Sequence, residues 1–533
     1  MFLKISPLMK GLFIFLLFIG IFYNLWDRPL FGVEGRWAEA SREMSLRGSW
    51  FVPTINFEPH VTKPLIPFWL IKISGELLGY SEFSVRLPGA LLALISLFLF
   101  YFLSKRFFEK EYALFGTMIF GVSLGFLQFA RLAQSEIYQL FGIVFALTVY
   151  VYYREKSSFT GYILFILGLL FGALSKGLTT PAVLTLFVLI DTIIHRRYYH
   201  FNFKLLFALF IGIFLYFLPY YLTARELQTD LPFYLWFREN LKQAFNPYDN
   251  LRPFYIYFYF WPLWIFPFSL FLLTSLYDNT KKFKTLSNDE LVFFLSNIAI
   301  VLLFTFAKAR RGYYLLPILP FTVIMLIFYL KNFKNLLAVK FHQWLTYLLP
   351  FLNILTIIIL KKKNYPLTYE IILALSLATI IQIILIVKLL KLQSFLEKLF
   401  FIGMLFLISE ILYFSFLQPA YTSTSEKEAG LFIKKLYKIN PNIKICSLSV
   451  EEKPVANFYF YAEIKKKIED FKSSEEVLTQ KCEVVVIRKV FKEEWKKLFQ
   501  EKGFNLIKIE TKSDKSKNYY IFYNSSTLKT PSF

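Results

Sequence analysis

PGALLALISLFLFYFLSK, residues 88–105, runs without a charge until Lys105 closes it. A stretch of this length and polarity is long enough, as a helix, to cross a hydrocarbon layer about 30 Å thick. Working outward, comparable apolar runs recur near 8–26, 112–130, 137–153, 160–175, 179–194, 204–222, 253–276, 290–307, 312–330, 341–360, 367–387 and 399–418. The chain therefore reads as a polytopic α-helical membrane protein with about thirteen transmembrane helices. Segment 65–79 is apolar but interrupted by Lys72 and Glu76. It is expected to lie as a helix in the membrane interface.

Composition agrees. Of 533 residues, 56% are hydrophobic and 18% charged, against about 25% charged in soluble domains. Mean hydropathy is +0.50. The 65 Phe and 34 Tyr suit gaps between spans and anchors at the headgroup level. The net charge of +23 sits between apolar runs, which points to membrane lipids and anionic substrates rather than nucleic acid. Lys4 and Lys10 precede the first apolar run, and no small-residue cleavage site follows it. That segment is expected to be an uncleaved first helix. The two cysteines, Cys446 and Cys482, allow one disulfide or two buried thiols, and no zinc spacing exists.

Loop charge sets the expected orientation. With the N-terminus inside, each inner loop carries basic residues, as in Lys105, Arg106 and Lys110, or Arg154 and Lys156, or Lys331, Lys334 and Lys340. Lys308-Ala309-Arg310-Arg311 and Lys361-Lys362-Lys363 fall outside and break the rule. An odd span count then places the tail beyond about 420 outside. A helical pattern over Lys427–Lys438, strand patterns over Ile443–Val450, Glu483–Ile487, Phe504–Thr511 and Tyr519–Tyr523, and a helix over Phe491–Lys502 make that tail a small soluble α/β domain. The expected division is a membrane domain over 1–420, including an outer loop at 27–87, and a C-terminal domain over 421–533.

Chemistry concentrates at the outer face. Glu34-Gly35-Arg36-Trp37-Ala38-Glu39 continues to Ser41-Arg42-Glu43-Met44 with a helical period. Glu34 stands at its start, where the helix dipole favours a carboxylate. Arg36 and Lys63 can both face an anion. The competing account is an amphipathic interfacial helix with solvated charges. Glu136 precedes an apolar run, where a carboxylate is a functional candidate; the plainer account pairs it with Arg131. Lys176-Gly177 closes a span. Lys308, Arg310, Tyr313 and Tyr314 cluster cations with aromatics, which suits a phosphate on an apolar tail. The outer loop 223–252 adds Glu239, Asn240 and Arg252. Carboxylates above a membrane can act as general bases, and cations can hold a phosphate.

These motifs resemble the GT-C superfamily, in the branch of lipid A aminoarabinose transferases and protein O-mannosyltransferases. The matching pieces are Glu34–Glu39 with Arg42-Glu43-Met44, Lys63-Pro64 with Phe68-Trp69-Leu70, Arg86-Leu87-Pro88, Arg131 with Glu136, Lys176-Gly177, and Tyr314-Leu315-Leu316-Pro317 with Pro320. The resemblance implies a glycosyltransferase in the bacterial inner membrane. It implies inverting transfer of a sugar from a polyprenyl (undecaprenyl) phosphate donor to lipid A or another envelope glycan. Glu34 and Glu136 become the catalytic carboxylates. Arg36, Lys63, Arg131, Lys176, Arg252, Lys308 and Arg310 become donor-phosphate ligands, and Trp37, Asn240, Tyr313 and Tyr314 line the substrate. Val33-Glu34 stands where the family often has Asp-Glu. Thr62 and Asn240 stand where aminoarabinose transferases tend to have Glu and His, positions associated with a metal, so neither metal nor cofactor is expected. A polar-lipid transporter is the rival function; it would place polar groups near the bilayer midplane rather than gather them at one face.

Overall fold

The computed structural model describes residues 6–332, 336–362, 367–449, 452–489, 491–511 and 517–524. Lys4, Lys334 and Lys363 of the loop charges, and Val450 at the end of an expected strand, lie outside the described residues. The chain packs as two compact units. One is Met1–Leu25, Thr62–Pro67 and Arg86–Ala420; the other is Trp26–Val61, Phe68–Val85 and Tyr421–Phe533. The expected division kept all of 27–87 with the membrane helices. Most of that loop instead shares a unit with the C-terminal segment.

The first unit is helical. Among the described residues nine helices are long and apolar enough to span a membrane, and two further pairs qualify if each bent pair is one span. The pairs are Lys110–Val122 with Leu124–Ala130, bent by 62°, and Ile256–Ile265 with Ser269–Lys281, bent by 117°. Pro7–Phe22 and Thr179–His195 are shorter apolar helices. Each of the thirteen expected runs falls on one of these elements. The two breaks meet: Leu124 N–H, orphaned at a helix start, donates to Phe266 O at 3.0 Å.

Helices Ser135–Tyr153 and Phe159–Lys176 form a close antiparallel hairpin. A Cβ on Gly142 would lie 2.6 Å from Gly172 N and 3.0 Å from Gly168 O. Small residues are what let two backbones approach this closely. At the hairpin's other end, Arg154 and Arg197 do not lie as solvated loop charges. Both pair with fully buried Asp191, at 3.1 and 2.6 Å. Tyr150 Oη donates to the same carboxylate at 2.7 Å.

The second unit is built on a mixed five-stranded sheet. Its strands are β3 (Ile445–Leu448), β4 (Glu469–Phe471), β5 (Val484–Arg488), β6 (Phe504–Ile509) and β7 (Tyr519–Asn524), in the order β4-β3-β5-β7-β6. β3 runs parallel to β4 and β5, and β7 antiparallel to β5 and β6. Alternation along the strands fills two cores. Val484, Val486 and Ile521 face Phe432, Ile433 and Phe458; Val485, Ile487 and Phe522 face Trp495 and Phe499. Cys446 and Cys482 form a disulfide with their Cα atoms 5.9 Å apart. The expected strands and both expected helices are present, as Ser425–Ile439 and Glu493–Glu501; β4 and the helices Ala456–Ala462 and Ser474–Thr479 had no expected counterpart.

Residues 26–61 and 68–85 contribute the helix Glu34–Arg47, most of the helix Ile66–Leu78, and a two-stranded hairpin, β1 (Thr54–Ile55) and β2 (Glu58–Pro59). Gly35 is required here, since a Cβ would lie 2.5 Å from Asn457 N. Tyr461 Oη accepts from Leu30 N at 2.8 Å, and Asn56 exchanges two 2.8 Å hydrogen bonds with the Ile468 backbone.

Candidate functional site

In the first unit the glycine-lined hairpin sets the start of one helix beside the end of the next. Glu136 Oε1 lies 3.2 Å from Lys176 Nζ, with the side chains 7% and 14% exposed. Glu136 therefore pairs with Lys176, not Arg131. The Lys176 ammonium also sits 5.0 Å from the Tyr313 ring centroid and 5.2 Å from that of Tyr314. Aromatic faces and a carboxylate together compensate a cation removed from water. Lys176 ends its helix at Gly177, whose φ of +92° suits glycine. Asn240 Oδ1 accepts from Leu178 N at 2.9 Å, and its amide donates to Trp236 O at 3.0 Å. Asn240 thus fixes the turn after Lys176 rather than lining the substrate.

Arg311 approaches the same tyrosines. Its Nη1 donates to Tyr313 Oη at 2.6 Å, its Nε donates to Asn250 Oδ1, and Asp249 is 3.9 Å away. Asn250 Nδ2 reaches Tyr314 Oη at 3.4 Å.

A second focus lies on Glu239. Its Oε2 pairs with Lys63 Nζ at 3.0 Å, and its Oε1 accepts from Arg238 Nη2 at 2.9 Å and Tyr248 Oη at 2.5 Å. Burial pushes this carboxyl up, but Lys63, Tyr248 and Arg238 together hold it below the ordinary value. Glu239 and Arg238 open a π-helical turn, Arg238–Lys242. Such turns recur at functional sites.

Several expected ligands are engaged elsewhere. Arg131 donates to the backbone oxygens of Gly20 and Tyr23 at 2.6 and 2.8 Å, closing the C-terminus of Pro7–Phe22. Arg310 donates to Thr305 O at 2.9 Å and Arg252 O at 3.0 Å, in the same capping role for Asn288–Phe306. Arg252 and Lys308 are exposed. Lys176, Tyr313 and Tyr314 are brought together, and Lys63 is held on Glu239; Arg311 and Glu239 stand out in the sequence only as members of their loops, with no role, and Tyr248 not at all. The signal for Arg311 is the Lys308–Arg311 run itself, in which nothing local distinguishes it from its neighbour Arg310.

In the second unit Glu34 is fully buried. Its Oε2 accepts from Arg28 Nη2 at 2.5 Å and from Phe31 N at 3.1 Å. Glu39 and Arg42 form a two-point ion pair at 2.7 and 2.7 Å. Glu43, also fully buried, accepts from Thr54 Oγ1 at 2.5 Å and Phe57 N at 2.9 Å. Burial, aided by the Glu39 charge, raises the Glu43 carboxyl to about 8. The account of solvated charges on an interfacial helix is thereby overturned: ten residues from Glu34 to Met44, all but Arg36, are buried. Trp37 is 4% exposed and its ring lies 4.6 Å from that of Phe68 at a tilt of 38°, a core position rather than a substrate wall. Arg36 is half-buried on the same helix.

Among the described residues, Asp191, His195 and Asp289 form a group with metal-ligand atoms within 4.8 Å of one another. Arg154 already pairs with both aspartates, at 3.1 and 2.8 Å. A cation there would have to displace it.

The family described as dolichyl-phosphate-mannose-protein mannosyltransferase matches residues 62–234. An undecaprenyl phosphate-alpha-4-amino-4-deoxy-L-arabinose arabinosyl transferase of Photorhabdus laumondii is 27% identical over 344 residues, covering 61% of this chain and 60% of that protein. The match thus spans less than two thirds of that relative's length. The fold is similar to the crystal structure of ArnT from Cupriavidus metallidurans bound to undecaprenyl phosphate. That likeness has a TM-score of 0.75 at 15% identity and covers 98% of this chain and 99% of the other. It is also similar to the archaeal oligosaccharyltransferase AglB from Archaeoglobus fulgidus, with a TM-score of 0.50 at 12% identity, covering 91% of this chain and 69% of that one. The resemblance to the GT-C superfamily drawn from the motifs is borne out, and the polytopic helical fold with a small C-terminal sheet domain is similar to that of the Cupriavidus metallidurans ArnT.

Proposed function

We propose that this membrane protein of GT-C fold transfers a sugar from a polyprenyl phosphate donor, undecaprenyl phosphate in bacteria, to lipid A or another extracytoplasmic glycan. The observation that carries the proposal is Lys176, paired with Glu136 and roofed by Tyr313 and Tyr314, with Arg311 bonded to Tyr313 and Lys63 paired with Glu239, the neighbour of the Asn240 that caps the turn after Lys176. Cations gathered beside aromatic faces suit a phosphate that ends an apolar chain.

In the proposed reaction an acceptor oxygen attacks the anomeric carbon and forms the new C–O bond. The bond from that carbon to the phosphate oxygen breaks with inversion. The acceptor proton passes to a carboxylate base, and polyprenyl phosphate leaves with the electron pair. Lys63, Lys176 and Arg311 stabilise the charge that builds on the leaving phosphate. Glu136 holds Lys176 in place for that role.

The bacterial inner membrane is the proposed location, with the C-terminal unit outside the cytoplasm. The Cys446–Cys482 disulfide supports this, because disulfides persist in oxidising compartments. The function is tested by measuring sugar transfer from a polyprenyl-phosphate sugar with purified Lys176→Met protein. Loss of a phosphate-stabilising donor should lower kcat by about 10²–10³-fold. Unchanged kcat would remove Lys176 from the site.

A further inference from the structure

We propose that Glu239 is an internal competitor of the lipid phosphate: it occupies Lys63, Arg238 and Tyr248, yields them when the phosphate binds, and drives product release by reclaiming them. The proposal rests on the assignment of a polyprenyl phosphate donor to this unit.

Glu239 presents two oxygens to three donors. Lys63 holds Oε2 at 3.0 Å, while Arg238 and Tyr248 hold Oε1 at 2.9 and 2.5 Å. A carboxylate held at both oxygens by an ammonium and a guanidinium copies the way such groups hold a phosphate. The charges do not balance. Two cations meet one carboxylate, so the cluster carries a net positive charge that a single carboxylate leaves uncompensated. A phosphate monoester, with about −1.5 to −2 charges at neutral pH, matches the donors better.

The cluster can also open. Lys63 and Arg238 are 34% and 30% exposed at their side chains, so an arriving anion can reach them without unfolding anything. Glu239 itself is 15% exposed and lies on the π-helical turn, a local irregularity of the backbone. Lys63 thus has two states, one on Glu239 and one on phosphate. Of the other phosphate candidates, Lys176 keeps its own carboxylate, Glu136.

Competition has a direction that a scaffolding role does not share. If Glu239 only positioned Lys63, its removal would weaken phosphate binding. As a competitor, its removal tightens binding. Product, with more charge than the donor diester, gains most. Both KM and kcat should therefore fall together, because release of polyprenyl phosphate slows.

The experiment titrates undecaprenyl phosphate into the full-length protein in detergent and follows the rise in Tm, with inorganic phosphate as a parallel arm. Wild type, Glu239→Gln and Lys63→Ala are compared, and steady-state transfer is measured on each. Glu239→Gln is expected to bind undecaprenyl phosphate at least about fivefold more tightly, the lower range of a site–site coupling. Its KM and kcat should both drop. Tighter binding of inorganic phosphate as well would mean that the headgroup alone competes; tightening for the lipid only would mean that the chain must be seated first. If Glu239→Gln does not fold, Glu239→Asp, too short to bridge Lys63 and Tyr248, is expected to tighten binding by a smaller factor. Wild type binding, Lys63→Ala weakened, and the Glu239 variant unchanged or weaker would overturn the competitor role alone. No binding by wild type would overturn the donor assignment and this inference with it.

Discussion

Glu136 and Lys176 lie at opposite chain ends of two antiparallel helices, yet their charged atoms are 3.2 Å apart. What brings them together is not near either residue. Gly142, Gly168 and Gly172 remove the side chains that would hold the two helices apart.

Replacing Gly142 with Val should therefore act at a distance. Its side chain would start 2.6 Å from a backbone nitrogen, so a helix must shift. Overpacking of this kind costs about 1–3 kcal/mol. The expected result is a lower Tm in detergent together with reduced transfer, whereas Gly11→Val, at a position where nothing lies within 4 Å of a Cβ, should change neither.

The ion pair itself predicts non-additivity. Glu136→Gln and Lys176→Met each leave a buried partner uncompensated, a loss of about 3–5 kcal/mol. The double variant should be more stable than the sum of the two losses implies. Additive losses in the thermal melts would mean that the two groups do not interact.

Much of this was legible in the sequence, for identifiable reasons. Spans are written in long apolar runs, so all thirteen expected segments have helical counterparts, even where Pro267 and Ser123 mark breaks. Side-chain aim in irregular segments is not written that way. Arg310 and Arg311 are adjacent, and one caps a helix while the other meets Tyr313. Arg131 looked like the natural partner of Glu136 by proximity in sequence, but three backbone oxygens claim it. Asp191 sits in an apolar run with no local pattern to mark it, though it gathers Arg154 and Arg197. The packing of residues 26–61 with the C-terminal segment depends on contacts such as Asn56 with Ile468, far apart in the chain and invisible to periodicity.

Glu43 gives the second unit a pH dependence of definite sign. Its carboxyl is raised from an ordinary 4.5 to about 8 in the folded chain, so between these values the folded state holds a proton that the unfolded state has lost. Stability contributed by this group is full below 4.5 and falls as pH rises toward 8. Urea melts monitored at Trp495 should show that decline in wild type and a flatter profile in Glu43→Gln.

The Cys446–Cys482 bridge closes a loop with a sequence separation of 36. Chain entropy alone assigns such a closure about 4 kcal/mol. Reduction, or the paired Cys446→Ser and Cys482→Ser change, should lower the denaturation midpoint of the C-terminal unit. An unchanged midpoint would show that the sheet does not depend on the bridge.

The central claim is that this chain breaks the bond between a sugar and a lipid phosphate. It is tested most directly by following release of free polyprenyl phosphate from a labelled polyprenyl-phosphate sugar pool, with purified protein, native lipids and a panel of acceptors. Wild type should release it, and Lys176→Met should be slower by about 10²–10³-fold, the usual worth of one donor to the developing charge. Directional movement of the labelled lipid with no release by wild type, whatever sugar and acceptor are supplied, would contradict the claim and identify a transporter.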